Sequence, residues 1–133
     1  MSTPIHQEVT FKASAGQIYD ALTDCRQFSE LTGGAAAVID AVEGGAFSCF
    51  GGAIEGRNVA LVPDKRIVQA WRVSVGPTKW DDGVYSIVKF ELVEDAGDTR
   101  LILDQVGFPE DAREHLEGGW HKMYWEPLAK YLG

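Results

Sequence analysis

Apolar and polar residues alternate along residues 5–11, Ile-His-Gln-Glu-Val-Thr-Phe, setting Ile5, Gln7, Val9 and Phe11 on one face and His6, Glu8 and Thr10 on the other. A period of two is that of a half-buried strand. The period then changes. Ser14 stands where a helix N-cap belongs, and Ile18, Ala21 and Leu22 behind it share one helical side. A second short helix is predicted around Arg26 to Leu31, stopped by Thr32-Gly33-Gly34.

From residue 35 to 106 no helical period recurs, and apolar or β-branched runs are separated by turn residues. The turns are Gly44-Gly45, Gly51-Gly52, Pro63-Asp64-Lys65, a loop holding Pro77 and Asp81-Asp82-Gly83, and Ala96-Gly97-Asp98. They delimit runs at about 35–42, 46–50, 54–62, 66–74, 85–94 and 99–106, which predict an antiparallel meander. In the last two, Ser86, Val88, Phe90 and Leu92 oppose Tyr85, Ile87, Lys89 and Glu91, while Thr99, Leu101, Leu103 and Gln105 oppose Arg100, Ile102 and Asp104.

A long helix is predicted from Glu110 to Leu132, after Pro109, with acidic residues in its first turn as the helix dipole favours. At 100° per residue Leu116, Trp120, Tyr124, Leu128 and Tyr131 form one stripe, with Met123 at its margin and His121 and Lys122 off it. Gly118-Gly119 and Pro127 weaken a regular helix, so a close approach or a bend is expected there.

Strand, two short helices, six strands and one long helix make an α+β order, in which a curved antiparallel sheet of about seven strands wraps the terminal helix. Bulky rings fill the space under a curved sheet poorly, and Trp120 and Tyr124 face strands whose inward positions include the small or polar Ser86 and Gln105. A hollow is therefore expected. Its candidate lining is Trp71, Trp80, Ser86, Val88, Phe90, Gln105, Phe108, Trp120, Met123 and Tyr124. Gln105 either finds a structural partner or orients a ligand, and Arg57, Asn58 and Arg72 either anchor a polar group at the mouth or serve in ion pairs.

Composition narrows the function. With 133 residues the chain is sized for one domain, spanning 1–133. Lys and Arg number 12 against 20 Asp and Glu, a net charge of -8, the wrong sign for gripping a phosphate backbone, so nucleic acid is not an expected partner. No apolar run reaches the ~18 residues of a membrane span, and Cys25 and Cys49 lack companions at ligand or redox spacing, which reads as a cytoplasmic protein. His115 and His121 point about 240° apart on their helix and do not converge on an ion. Neither a metal nor a cofactor is expected, and no Ser-His-Asp, Cys-His or paired-carboxylate arrangement can be assembled.

An ordered series of motifs does carry a resemblance: Gly44-Gly45-x-Phe47, Gly52-x-Ile54-x-Gly56-x-Asn58, Leu61-x-Pro63, Ile67-Val68-Gln69-x-Trp71-Arg72, Thr99-x-Leu101-x-Leu103, Gly107-x-Pro109 and Gly119-Trp120 followed by Tyr124-Trp125. Across nearly the whole chain it resembles the activator-of-Hsp90-ATPase homologues, within the START-like (SRPBCC, Bet v-like) helix-grip superfamily. The resemblance implies a long helix closing a pocket for apolar molecules, and no catalytic motif. Three functions stay open: a binding module for a small apolar molecule, a co-chaperone that binds Hsp90 and stimulates its ATPase, and an enzyme acting on an apolar or aromatic substrate. A chaperone and a second copy of the chain are the macromolecular partners the resemblance allows.

Overall fold

A computed structural model describes residues 4–132. β1 (Ile5–Phe11) leads into α1 (Ala15–Thr23) and α2 (Cys25–Leu31), then β2 (Val38–Ile39), β3 (Ala46–Cys49), β4 (Ile54–Val62), β5 (Arg66–Val73), β6 (Ser86–Asp95) and β7 (Asp98–Val106). The C-terminal helix, α3, comes after a short 3-10 turn and runs through residues 113–132. The strands form one antiparallel sheet in the order β1-β7-β6-β5-β4-β3-β2.

Local chemistry accounts for the element ends. The Ser14 hydroxyl accepts from the Gln17 backbone N–H at 3.2 Å while the Gln17 side chain accepts from the Ser14 N–H at 3.0 Å, a reciprocal cap that starts α1. The Asp24 carboxylate takes the Arg26 N–H at 2.9 Å and so starts α2 one residue before the predicted position. Ala96 and Gly97, both at positive φ, close the β6–β7 hairpin between the paired Asp95 and Asp98.

Two expectations need correction. The run at 35–42 yields only the two-residue β2, because beyond Ile39 the backbone turns into the 40–45 loop, where the Asp40 carbonyl accepts from Asn58 Nδ2 at 3.1 Å. The predicted helical stripe holds through the fully buried Leu128 and fails only at Tyr131. Residues Trp120–Trp125 form a π-helical stretch, and the Glu126 N–H donates to the His121 carbonyl five residues back. Pro127 has no N–H to offer the Met123 carbonyl and its ring crowds that oxygen, so widening the preceding turn relieves the conflict. The extra residue in the turn rotates the remainder of the helix. Trp125, outside the predicted stripe, is buried, whereas Tyr131, inside it, is 37% exposed. The bend expected at the proline and glycines is thus a π turn, and added side chains at Gly118 and Gly119 would meet open space, so no close approach explains those two.

The sheet must curl to meet this helix. Side chains of α3 touch β1 through Gln7 and Phe11, β7 through Gln105, β6 through Phe90 and β5 through Trp71. Tyr124 further reaches Cys49 on β3. At about 4.8 Å per strand, β1 to β3 spans about 24 Å, roughly twice the width of a helix, so only a concave sheet can bring both to one rod.

Candidate functional site

The interior between α3 and the sheet has a solid half and a hollow half. In the solid half Gln105, fully buried on β7, accepts from Trp120 Nε1 at 2.9 Å and donates to the Ser86 hydroxyl at 3.0 Å, which donates to the Trp71 carbonyl at 2.9 Å. Each member of this relay has its partner within the protein, and Gln105 does not line the open space. The small and polar residues expected to leave room are instead joined to each other and to the indole above them.

The hollow lies toward the β4–β5 end and has a volume of about 180 Å³. Ile54 and Val73 are paired across β4 and β5 and form its floor with Trp71, two residues along the same face. Leu116, Trp120 and Tyr124 roof it from α3. Phe50 and Ala53, in the turn joining β3 to β4, close one side, and Val75, Thr78, His115 and Met123 stand at the lip, all four exposed to solvent. Among the described residues no Asp, Glu, Lys or Arg lines it.

Of the residues nominated from sequence, Trp71, Trp120, Met123 and Tyr124 line this space. The others do not. Trp80 packs behind Trp71 with ring centroids 5.8 Å apart, and Phe90 packs edge-on behind Trp120 at 5.7 Å. Ser86 and Gln105 belong to the relay, and Val88 and Phe108 are buried outside the lining. The polar anchors considered for the mouth are also engaged elsewhere. Arg57 donates to the Gly44 carbonyl at 3.1 Å, Asn58 joins Asp40 to Gln69, and the buried Arg72 donates to Glu55 at 2.9 Å and to the Trp80 carbonyl at 2.9 Å. Arg72 thereby ties down the 74–85 loop that carries Val75 and Thr78. Phe50, Ile54, Val73 and His115 were not nominated. Ile54 and Val73 were readable from strand alternation, but nothing in the sequence signals the position of Phe50.

The hydroxyl of Tyr124 lies at the inner end, and it is engaged. Trp71 Nε1 donates to it over a long 3.5 Å, and it donates toward the Cys49 sulfur. Burial pushes the Tyr124 phenol well above its ordinary value, and burial, partly offset by the Tyr124 hydrogen bond, pushes the Cys49 thiol up to about 12. Both stay protonated at neutral pH, so neither supplies a base or a thiolate nucleophile. Among the described residues no group of His, Cys, Asp and Glu is placed to hold a metal ion, and no helix is long and apolar enough to cross a membrane.

The family model for activator of Hsp90 ATPase homolog 1-like proteins matches residues 12–133. The chain belongs to this family. It is 28% identical over 124 residues to the human activator of 90 kDa heat shock protein ATPase homolog 1, covering 93% of this chain and 35% of that protein. The corresponding Dictyostelium discoideum activator is 33% identical over 113 residues, covering 84% of this chain and 28% of that protein. This family member thus spans about a third of the length of the curated relatives it matches. Among solved structures, PFC0360w, an HSP90 activator from Plasmodium falciparum, superposes with a TM-score of 0.91 at 23% identity, covering 99% of this chain and 97% of that one. CalU16 from Micromonospora echinospora gives 0.78 at 22% identity over 98% and 76% of the two chains. The Aha1 dimer from Colwellia psychrerythraea gives 0.79 at 18% identity over 98% and 96%. At these identities the superpositions establish a common helix-grip fold.

Proposed function

We propose that this domain binds one small, uncharged, apolar or aromatic molecule in the hollow between α3 and the β4–β5 end of the sheet. The observation that carries the reading is the hollow itself, about 180 Å³ of apolar-lined space that opens at a lip of exposed side chains. Its size decides the class of occupant. An apolar cavity of about 150 Å³ takes up benzene, whereas drug-sized ligands occupy about 300–1,000 Å³. The space suits a single ring with one or two small substituents and excludes a fatty acid or a polyketide. A charged ligand would lose its hydration against walls that offer no counter-charge. The two unpaired cysteines support a cytoplasmic setting, where thiols persist. Native mass spectrometry or thermal shift against single-ring compounds tests the reading: a bound mass and a raised melting temperature are expected, and no shift from any of them would remove it.

A second reading is a co-chaperone domain that docks on Hsp90 and stimulates its ATPase. It is favoured by family membership and by the names of the human and Plasmodium falciparum relatives. A net charge of -8 would suit a basic patch on a partner. Pull-down with the cognate chaperone and an ATPase assay decide it, and absence of binding at micromolar concentration would count against it.

A further inference from the structure

The turn between β3 and β4 holds an unusual backbone. Phe50, Gly51 and Gly52 succeed one another at φ of 56°, 67° and 96°. For the two glycines this conformation is ordinary. For an aromatic residue it is strained, and strain of that kind persists only where the surroundings enforce it. Here they do. The Gly51 N–H donates to the Ala36 carbonyl at 3.0 Å, the Ser74 hydroxyl donates to the Gly52 carbonyl at 2.6 Å, and the Ser74 N–H donates to the Ala53 carbonyl at 2.8 Å. The turn is fastened on both sides, and it holds the Phe50 ring against the hollow.

That ring completes a triangle. Phe50 meets Tyr124 edge-on at 5.5 Å and Phe28 edge-on at 5.6 Å, and Phe28 meets Tyr124 at 5.7 Å. Phe50 and Tyr124 line the hollow, while Phe28 and Tyr124 line a second void of about 10 Å³, barely one water in size, bounded also by Leu22, Cys49 and Phe90. The hollow therefore ends where it does because Phe50 fills the room between it and Phe28.

We infer that Phe50 is the specificity residue that limits the ligand to one ring, an inference that rests on the hollow being a binding site. With the benzyl group removed, its volume joins the hollow, Phe28 becomes the new end wall, and a fused two-ring hydrocarbon fits. The hydrogen bonds from Gly51 and Ser74 hold this stop in place against the backbone strain at Phe50. A glycine accepts the same φ without strain, so Phe50→Gly removes the ring and relieves the backbone together.

The test is calorimetric titration of toluene and naphthalene against the natural chain, Phe50→Gly and Phe50→Leu, with Phe50→Ala as the same truncation should the glycine variant not fold. The natural chain and Phe50→Leu, which keeps most of the bulk, are expected to take toluene and reject naphthalene. The truncated variant is expected to bind naphthalene about tenfold or more tighter than the natural chain does, and toluene more weakly, because the added ring finds apolar walls while toluene leaves a void. Toluene binding by all chains with naphthalene equally rejected by the truncations would overturn the role of Phe50 and leave the binding site standing. Failure of every chain to take either hydrocarbon would overturn the binding site, and this inference with it.

Discussion

The two halves of the helix–sheet interior use the same kind of residue to opposite ends. Toward β6 and β7, Trp120 donates its indole N–H to Gln105, Gln105 reaches Ser86, and Phe90 and Trp125 close the remaining space, with Trp125 stacked on Trp120 at 5.6 Å. Toward β4 and β5, the same Trp120 packs on Trp71 with ring centroids 5.4 Å apart, and beside that pair Ile54, Val73 and Leu116 border open volume. Polar side chains buried under a helix did not make the cavity; they sealed it, because each required a partner and the partner drew the packing shut. Room persists where walls are apolar and the residues at the edge, Val75 and Met123, stay in solvent.

The difference can be tested by mutation. Phe90→Ala removes a ring from the packed half and is expected to cost about 3–5 kcal/mol of stability, while Met123→Ala at the lip, where the side chain is 46% exposed, costs under about 1 kcal/mol. Denaturant midpoints measure both, and comparable losses would show that the two halves do not differ in packing. Gln105→Leu is next in size. It leaves the Trp120 N–H buried without an acceptor, with an expected cost of about 1–3 kcal/mol, and the affinity for a single-ring ligand is unchanged. A large loss of ligand affinity with stability intact would instead place Gln105 at the binding site.

The smallest effect lies on the outer face of the sheet, where His6 on β1 sits 2.7 Å from Asp104 and 2.8 Å from Glu8. Hydrogen bonds to Asp104 first and Glu8 second raise its pKa above the ordinary 6.5. The stabilisation is therefore fully present below about pH 6.5 and is lost as pH rises through the higher folded-state value. His6→Gln should abolish this slope without altering ligand uptake. An NMR titration midpoint at or below 6.5 would contradict the assignment.

The sequence made the ladder legible because strand alternation is local. β4 emerges at residues 54–62 as read, and the alternating faces of β6 and β7 point as expected. It was less informative where one residue's position depends on distant ones. The π turn in α3 arises from Pro127 meeting a helix already fixed by packing, and a regular wheel cannot anticipate the shift from Tyr131 to Trp125. The cavity was expected beside Ser86 and Gln105, since polarity and small size suggested space, yet whether a buried amide finds partners is decided across strands and helix together. Phe50 was invisible for a related reason. Its positive φ is imposed by Ala36 and Ser74, neither of which is its neighbour in sequence.

The most direct measurement is a crystal structure determined under xenon pressure. Xenon prefers dry apolar cavities, so a strong peak is predicted in the hollow bordered by Phe50, Ile54, Val73 and Leu116, with none beside Gln105. Absence of xenon from that position, with the surrounding side chains closed over it, would contradict the account.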